Sequence, residues 1–369
     1  MLRAVSHSPL NISAATLRGL VSWFESNKRE MPWRNTRDPY RIWVSEILLQ
    51  QTQVATVEPY YNRFIKTFPN VEALAKAPLD KVLKVWEGCG YYARARNLHK
   101  TAKQVVAMGG KLPQSSHELR RLAGIGQYTS AAIASIAFGE AVPVLDGNVE
   151  RVIARVTCEE GFITEKIVHS KLKATAEVWM RAAVVADLSP GALNESLMEL
   201  GAMVCKPREA LCSECPLKKI CLARKTRDDV TELPRKPIKE ATPHYDIGAA
   251  IVRKNGRILI TKRPEKGLLG GLWEFPGGKK ERGETLEECV RREMQEELDI
   301  QVEVGKQIAN VKHAYTHFKI TLHCFECKHV GGEVKLLQVT DAKWVRPSEL
   351  RNYAFPKADR VVLDILTNS

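Results

Sequence analysis

The sequence predicts a multidomain chain, with an all-α domain first and an α+β domain after it. Three observations predict this. The chain has 369 residues, above the ~250–300 at which single cores stop growing. From Leu17 to about Cys221, apolar residues recur at helical spacing. After Tyr245 the texture changes to short alternating runs, the mark of strands. With 44% hydrophobic and 27% charged residues, the chain can bury sizeable cores, which excludes wholesale disorder.

The elements follow in chain order. Leu17, Leu20, Val21 and Phe24 form one helical stripe. Asp38 then Pro39 reads as an N-cap followed by proline at the first helical position. Behind them Tyr40, Trp43, Val44, Ile47 and Leu48 make a second stripe. Further helices are expected at 71–86, 93–108, 116–123, 128–138, 147–156, 165–187 and 193–203. The segment 225–244 is dense in charge and carries Pro234, Pro237 and Pro243, the signature of an extended linker. Strands are expected at 245–253, 257–262, 301–304, 318–326 and 342–345, with helices at about 284–298 and 357–366. The domains are therefore 10–224 and 245–369.

Lys plus Arg number 56 against 43 Asp plus Glu, a net charge of +13. That balance points to a polyanionic partner, and nucleic acid is the usual one. No apolar run approaches the ~18–20 residues that cross a bilayer, so no membrane partner is expected. The N-terminus lacks the apolar block of a secretory signal; its serines, and the absence of acids before Glu25, leave a short organelle signal as the alternative. The expectation is a cytoplasmic, DNA-associated monomer.

Nine cysteines without an export signal argue against a disulfide framework. Cys324 and Cys327 lie on an alternating run, so they point to opposite faces of a strand. Cys205, Cys212, Cys215 and Cys221 are different. Their C-x6-C-x2-C-x5-C spacing gathers four thiols within 17 residues. Zinc would accept them, although its usual signature pairs two short knuckles. A 4Fe–4S cube would also accept them, and looser spacing suits its larger body. Spacing alone leaves both open. The surrounding Lys206, Arg208, Lys218, Lys219, Arg224 and Lys225 favour phosphate contact over electron transfer.

The stretch at about 116–138 reads as helix, tight turn, helix. Gly124 and Gly126 allow positive φ and close backbone approach, and the following helix start offers N–H groups to a phosphate. Two carboxylates stand out as chemistry. Glu46 has Ile42, Trp43, Leu49 and Gln50 a turn away; an apolar setting raises a carboxyl pKa, as a general acid requires. The bland alternative is a surface helix glutamate. Asp146 reads as an N-cap of the helix from Gly147, a place that favours the anion. One protonated and one ionised carboxyl could break a glycosidic bond.

The cysteine spacing after a helical domain, together with Pro32–Arg34, the run from Ser45 to Val54, Gly124–Thr129 and Leu145–Val152, resembles the endonuclease III and MutY family of DNA glycosylases. The resemblance covers the whole first domain. It implies a helix-hairpin-helix glycosylase fold with a structural 4Fe–4S loop at 205–221, acting on double-stranded DNA containing adenine opposite 8-oxoguanine or guanine. It also implies roles. Glu46 would protonate adenine and later activate water. Asp146 would stabilise the sugar cation, with Tyr128 and Asn148 orienting the two acids. Glu195 would contact the adenine, and Met31, Trp33 and Arg34 would shape its pocket. Gln51 and Tyr91 would wedge into the duplex as the base flips out. Tyr128 stands where bifunctional members carry lysine, so base excision without efficient strand nicking is expected.

In the second domain, Gly278, Glu284, Arg292, Glu293, Met294, Glu296, Glu297 and Ile300 fit the spacing of the Nudix box. Glu293, Glu296 and Glu297 share one helical face and could gather Mg²⁺. The region 268–300 resembles MutT-like pyrophosphohydrolases. This implies an α+β Nudix fold that recognises 8-oxoguanine and, with a live box, hydrolyses 8-oxo-dGTP. Two departures put that hydrolysis in question: Asp299 replaces the box glycine, and Gln338 stands where an acid is common. Tyr315-Thr316-His317 matches the lesion-reading Phe-Ser-His of MutY relatives. The competing reading is a nucleotide-pool Nudix hydrolase tethered to a DNA-binding helical domain; Glu46 and Asp146 in full motif context oppose it.

Overall fold

The structure, a computed structural model, describes residues 10–237 and 241–367. Part of the N-terminal stretch read for targeting signals, and residues 238–240 of the 225–244 segment, lie outside the described residues. The chain forms two compact units. One comprises Met1–Ile65, Asn70–Glu72 and Lys100–Lys239, the other Lys66–Pro69, Ala73–His99 and Glu240–Ser369.

The helices run α1 (Ala14–Asn27), α2 (Pro39–Leu49), α3 (Val54–Thr67), α4 (Val71–Lys76), α5 (Leu79–Trp86), α6 (Ala93–Ala107), α7 (Ser116–Leu119), α8 (Gln127–Phe138), α9 (Gly147–Thr157), α10 (Lys166–Val185), α11 (Pro190–Met203) and α12 (Leu222–Thr226). Their starts follow the caps in the sequence. Ser13 accepts from the Thr16 N–H, Asp38 from those of Tyr40 and Arg41, and Ser189 from that of Ala192. The first unit's main core joins Leu17 and Leu20 of α1, Val152 and Ile153 of α9, Trp179 of α10 and Leu197 and Leu200 of α11. It therefore fixes the ends of α9 and α11 against each other.

Three helical expectations change; the helix expected at 116–123 ends at Leu119. α3, which holds Pro59, was not among the expected helices; burial of Val57, Tyr61 and Phe64 carries it. The 71–86 stretch breaks into α4 and α5 at Pro78, which lacks the N–H that helix continuation requires. The start of the 225–244 segment is also packed rather than free. Leu233 is fully buried in the first unit's core, Arg155 donates to its carbonyl (2.8 Å), and the Ile163 N–H donates to the Arg235 carbonyl (3.0 Å).

The second unit holds a seven-stranded sheet among the described residues. Its strands are β1 (His244–Lys254), β2 (Arg257–Lys262), β3 (Trp273–Glu274), β4 (Gly277–Lys279), β5 (Gln301–Ala314), β6 (Lys319–Gly331) and β7 (Asp341–Val345), with helices α13 (Leu286–Leu298) and α14 (Lys357–Thr367). The order is β3-β2-β1-β6-β5, with β4 on β1 and β7 on β2; β1 and β6 run parallel. Period-two alternation divides the core between the faces. Ala249, Ile251 and Cys324 join α14, while Ala250, Val252 and Cys327 join α13. Cys324 and Cys327 therefore face apart, as read from the sequence. β3 and β4 were missed because runs of two and three residues carry no period.

Among the described residues, no helix is long and apolar enough to cross a membrane.

Candidate active site

Five parts of the first unit converge on one cavity of about 540 Å³. The turn before α2 supplies Met31, Trp33 and Arg34. α2 supplies Glu46. The starts of α8 and α9 supply Tyr128, Asp146 and Asn148. α11 supplies Glu195, Met198 and Glu199. Eight residues named from the sequence for catalysis and base binding thus line a common space.

Glu46 is 6% exposed. The Tyr128 hydroxyl donates to its Oε2 at 2.5 Å. Burial pushes its carboxyl up to about 7; the Tyr128 bond and Arg34 oppose the rise, and the charges of Asp146 and Glu195 add to it. Burial also lifts the Tyr128 phenol well above its ordinary range, beside Glu46, so it stays a donor.

Asp146 caps α9. It accepts from the Asn148 N–H (3.0 Å), the Val149 N–H (2.8 Å) and the Asn148 side-chain amide (3.0 Å). The helix end alone implied a lowered pKa. Its carboxyl is instead raised, because burial outweighs these three donors and Arg151. Three donors to Asp146 against one to Glu46 still make Asp146 the better seat for a negative charge.

Sequence reading named Arg34 and Glu195 but missed Glu199, Arg29 and Arg151, which organise this cavity with them. Arg34 donates to Glu195 (2.9 Å) and Glu199 (3.1 Å). Arg29 donates to Glu199 through its backbone N–H, Nε and Nη2. These partners lie 161–170 positions apart, so no local pattern announces them. The four-residue spacing of Glu195 and Glu199 on α11 was the available signal. Arg151 holds Asn148 Oδ1 (2.9 Å) and the carbonyls of Gly201 (2.6 Å) and Cys205 (2.7 Å).

Cys205, Cys212, Cys215 and Cys221 line a second, narrow recess. Arg155, 1% exposed, donates to Cys205 Sγ (3.3 Å) and to the carbonyls of Lys206 and Pro207. Burial pushes the Cys215 thiol up to about 12, and the three neighbouring thiols add to the shift. Among the described residues no three ligating side chains converge as on a single ion. Four cysteines around one recess supply the thiolate donor set that a metal centre would take.

Other candidates lie outside the catalytic cavity. Gly124 has φ +73° in the turn between α7 and α8, while Gly126 caps α8 with extended backbone. A Cβ on Gly126 would meet nothing within 4 Å, so the surface at that helix start is open. Gln51 is exposed and left-handed (φ +57°) just after α2. Tyr91, in the second unit, is also left-handed (φ +48°) and 41% exposed. Its hydroxyl hydrogen-bonds Thr316, and Tyr91, Tyr315, Thr316 and His317 line one apolar groove.

In the box helix α13, Thr285 and Glu288 form a capping box. Asp299 takes the left-handed cap position (φ +55°) and accepts from Lys335 (2.8 Å), so it does the backbone work of the box glycine. A Cβ on Gly278 would come within 2.2 Å of the Glu293 carboxylate, so a larger residue there would displace that side chain. Arg292 Nη1 donates to both Glu293 (2.9 Å) and Glu296 (3.1 Å). Glu293 and Glu297 turn inward with Glu274; burial, then Glu274 and Glu293, push Glu297 up to about 8. Glu296 points outward to Arg292 (3.1 Å).

Residues 44–177 match the HhH-GPD superfamily of base excision DNA repair proteins, and residues 248–364 match the NUDIX domain. The chain is 37% identical to the adenine DNA glycosylase of Arabidopsis thaliana over 87% of its own length, and spans 58% of that protein. It is 32% identical to the adenine DNA glycosylase of Homo sapiens over 94% of its length, covering 73% of that protein. A solved thermostable thymine-DNA glycosylase superposes with a TM-score of 0.50 at 28% identity, over 58% of this chain and 96% of that one. With both domains matched in order and the human relative covered across 73% of its length, the chain belongs to the adenine DNA glycosylase family.

Proposed function

We propose that this chain is a monofunctional, DNA-associated cytoplasmic monomer that removes adenine opposite 8-oxoguanine or guanine in duplex DNA. The single observation carrying the reading is the shared cavity in which buried Glu46 faces Asp146 and Tyr128. Residues 10–224 form its excision domain and 245–369 its lesion-reading domain.

Gln51 and Tyr91 hold the duplex open, and the adenine enters the cavity between Met31, Trp33, Arg34 and Glu195. Protonated Glu46 delivers its proton to the adenine ring, which makes the base a better leaving group. As the C1′–N9 bond breaks, positive charge grows on the sugar. Asp146, its geometry locked by Asn148 and the α9 start, stabilises that charge. Ionised Glu46 then takes a proton from water, which completes the sugar. Tyr128 orients Glu46 and offers no amine for a Schiff base, so the strand is left intact.

Cys205, Cys212, Cys215 and Cys221 hold a 4Fe–4S cluster, which when bound supplies a structural cross-link. Around it, Lys206, Arg208 and Lys218 meet phosphates, as do the Gly124–Gly126 turn and the start of α8. Tyr315, Thr316 and His317 read the 8-oxoguanine. Glu293, Glu296 and Glu297 remain the candidates for Mg²⁺, which when bound would draw charge from a pyrophosphate; repulsion among Glu274, Glu293 and Glu297 supports a cation there.

The test is a set of duplexes placing adenine, cytosine or thymine opposite 8-oxoguanine, with the released base identified by chromatography. Free adenine from the first duplex alone is expected. Release of thymine, or of no base, would contradict the reading.

A further inference from the structure

Glu199 lies one turn beyond Glu195 on α11 and is 2% exposed. A buried carboxylate is costly unless fully paired. Glu199 is paired by Arg29 through its backbone N–H (3.0 Å), Nε (2.8 Å) and Nη2 (3.0 Å), and by Arg34 Nη2 (3.1 Å). The other arm of Arg34, Nη1, donates to Glu195 (2.9 Å). The Arg34 guanidinium also lies over the Phe24 ring at 5.1 Å, and its Nε is buried without a hydrogen-bond partner. Arg34 is thus fixed on both sides, by Glu199 and by the proposed adenine contact Glu195.

Glu199 is not placed to exchange protons. Although burial raises its carboxyl, the bonds from Arg29, aided by Arg34, hold it below the usual carboxylate range. It is a permanent anion at the floor of a cavity whose acid must stay neutral. We propose that Glu199 is a positioning residue of base excision: it anchors Arg34 so that one guanidinium orients Glu195 and faces Glu46. This rests on the glycosylase reading above and deepens it.

Glu46 is faced by Tyr128 from α8, Asp146 from the α9 cap, Glu195 from α11 and Arg34 from the turn before α2. Glu199 is faced by Arg29 and Arg34. Removing its charge leaves both cations in place with one counter-ion fewer. The local potential becomes more positive, so Glu46 releases its proton at lower pH. A purely structural residue would scale the rate equally at every pH.

Single-turnover adenine excision is measured from pH 5 to 9 with the full chain, beside duplex affinity. In Glu199→Gln, affinity should stay within about 2-fold of wild type while the rate falls ~10–100-fold, the scale of a misplaced binding group. The alkaline limb should move down by about half a pH unit or more. Glu199→Asp keeps the charge but shortens its reach; its rate should fall with the limb in place. An unmoved limb in Glu199→Gln, or a wild-type rate in Glu199→Asp, overturns the proposal. Should Glu199→Gln fail to fold, Arg29→Gln replaces it: with one cation fewer on Glu199 the alkaline limb should move up, and an unmoved limb overturns the proposal. Wild type that releases no adenine overturns the glycosylase reading together with this one.

Discussion

Glu46 shows how one residue is set up for two opposed tasks. Its carboxyl must hold a proton near neutral pH and later give it up. Burial lifts it from 4.5 to about 7, and the Tyr128 hydroxyl keeps it from rising further. The sign for stability follows by linkage. Below pH ~4.5 Glu46 is neutral in both folded and unfolded chains. Between ~4.5 and ~7 the unfolded chain ionises while the folded one does not, so stability falls as pH rises through this window. Glu46→Gln should therefore melt higher than wild type at pH 8 by an amount worth roughly 1–3 kcal/mol, and match it near pH 4. Equal differences at both pH values would mean Glu46 is not buried as an acid. Its apolar neighbours on α2 made this residue legible in the sequence. Glu199 was not, because its environment is made by arginines 165–170 positions away.

At the scale of elements, the sequence is most informative where local chemistry closes on itself. The Asp38-Pro39 and Asp146-Gly147 starts and the glycine turn before α8 lie where the residues placed them. It is least informative where tertiary burial overrides local preference, as in α3 across Pro59, or where pairing lengthens a strand. β5 and β6 run well beyond their apolar cores because each pairs with the other through bulges near Gln307. The cysteine loop is the element that the proposed cluster would cross-link. Cys212→Ser should lose absorbance near 400 nm and bound iron, and melt several degrees lower, since cluster binding is linked to folding. Full iron content and unchanged melting in that variant would remove the cluster assignment. The 315–317 loop belongs to the same scale. His317→Ala should lower discrimination between 8-oxoguanine and guanine more than it lowers adenine excision itself. Equal loss on both duplexes would move lesion reading elsewhere.

Across the whole molecule there are two compact units, and the change from helical to alternating pattern made two domains visible in the sequence. The boundary was less visible. Charge and prolines at 225–244 suggested a free linker, yet Leu233 is buried and the stretch to Arg235 is tied to the first unit. Composition does not reveal that a charged segment hides one anchoring leucine. Nor did it reveal that residues 73–99 pack with the second unit. The α+β domain retains the Nudix frame, including the cap that Asp299 supplies. If its inward acids hold Mg²⁺, the full chain should release pyrophosphate from 8-oxo-dGTP, and Glu297→Gln should lower that rate at least tenfold without changing adenine excision. Absence of pyrophosphate with Mg²⁺ present would leave the domain with recognition alone.

The central claim is that neutral Glu46 delivers the proton that frees the base. Its most direct test is single-turnover excision of adenine opposite 8-oxoguanine, scored by strand scission after alkali, in wild type and Glu46→Gln. Wild type should give scission with a rate that declines above pH ~7. Glu46→Gln should bind the duplex normally and give none. Scission by Glu46→Gln at the wild-type rate would contradict the account.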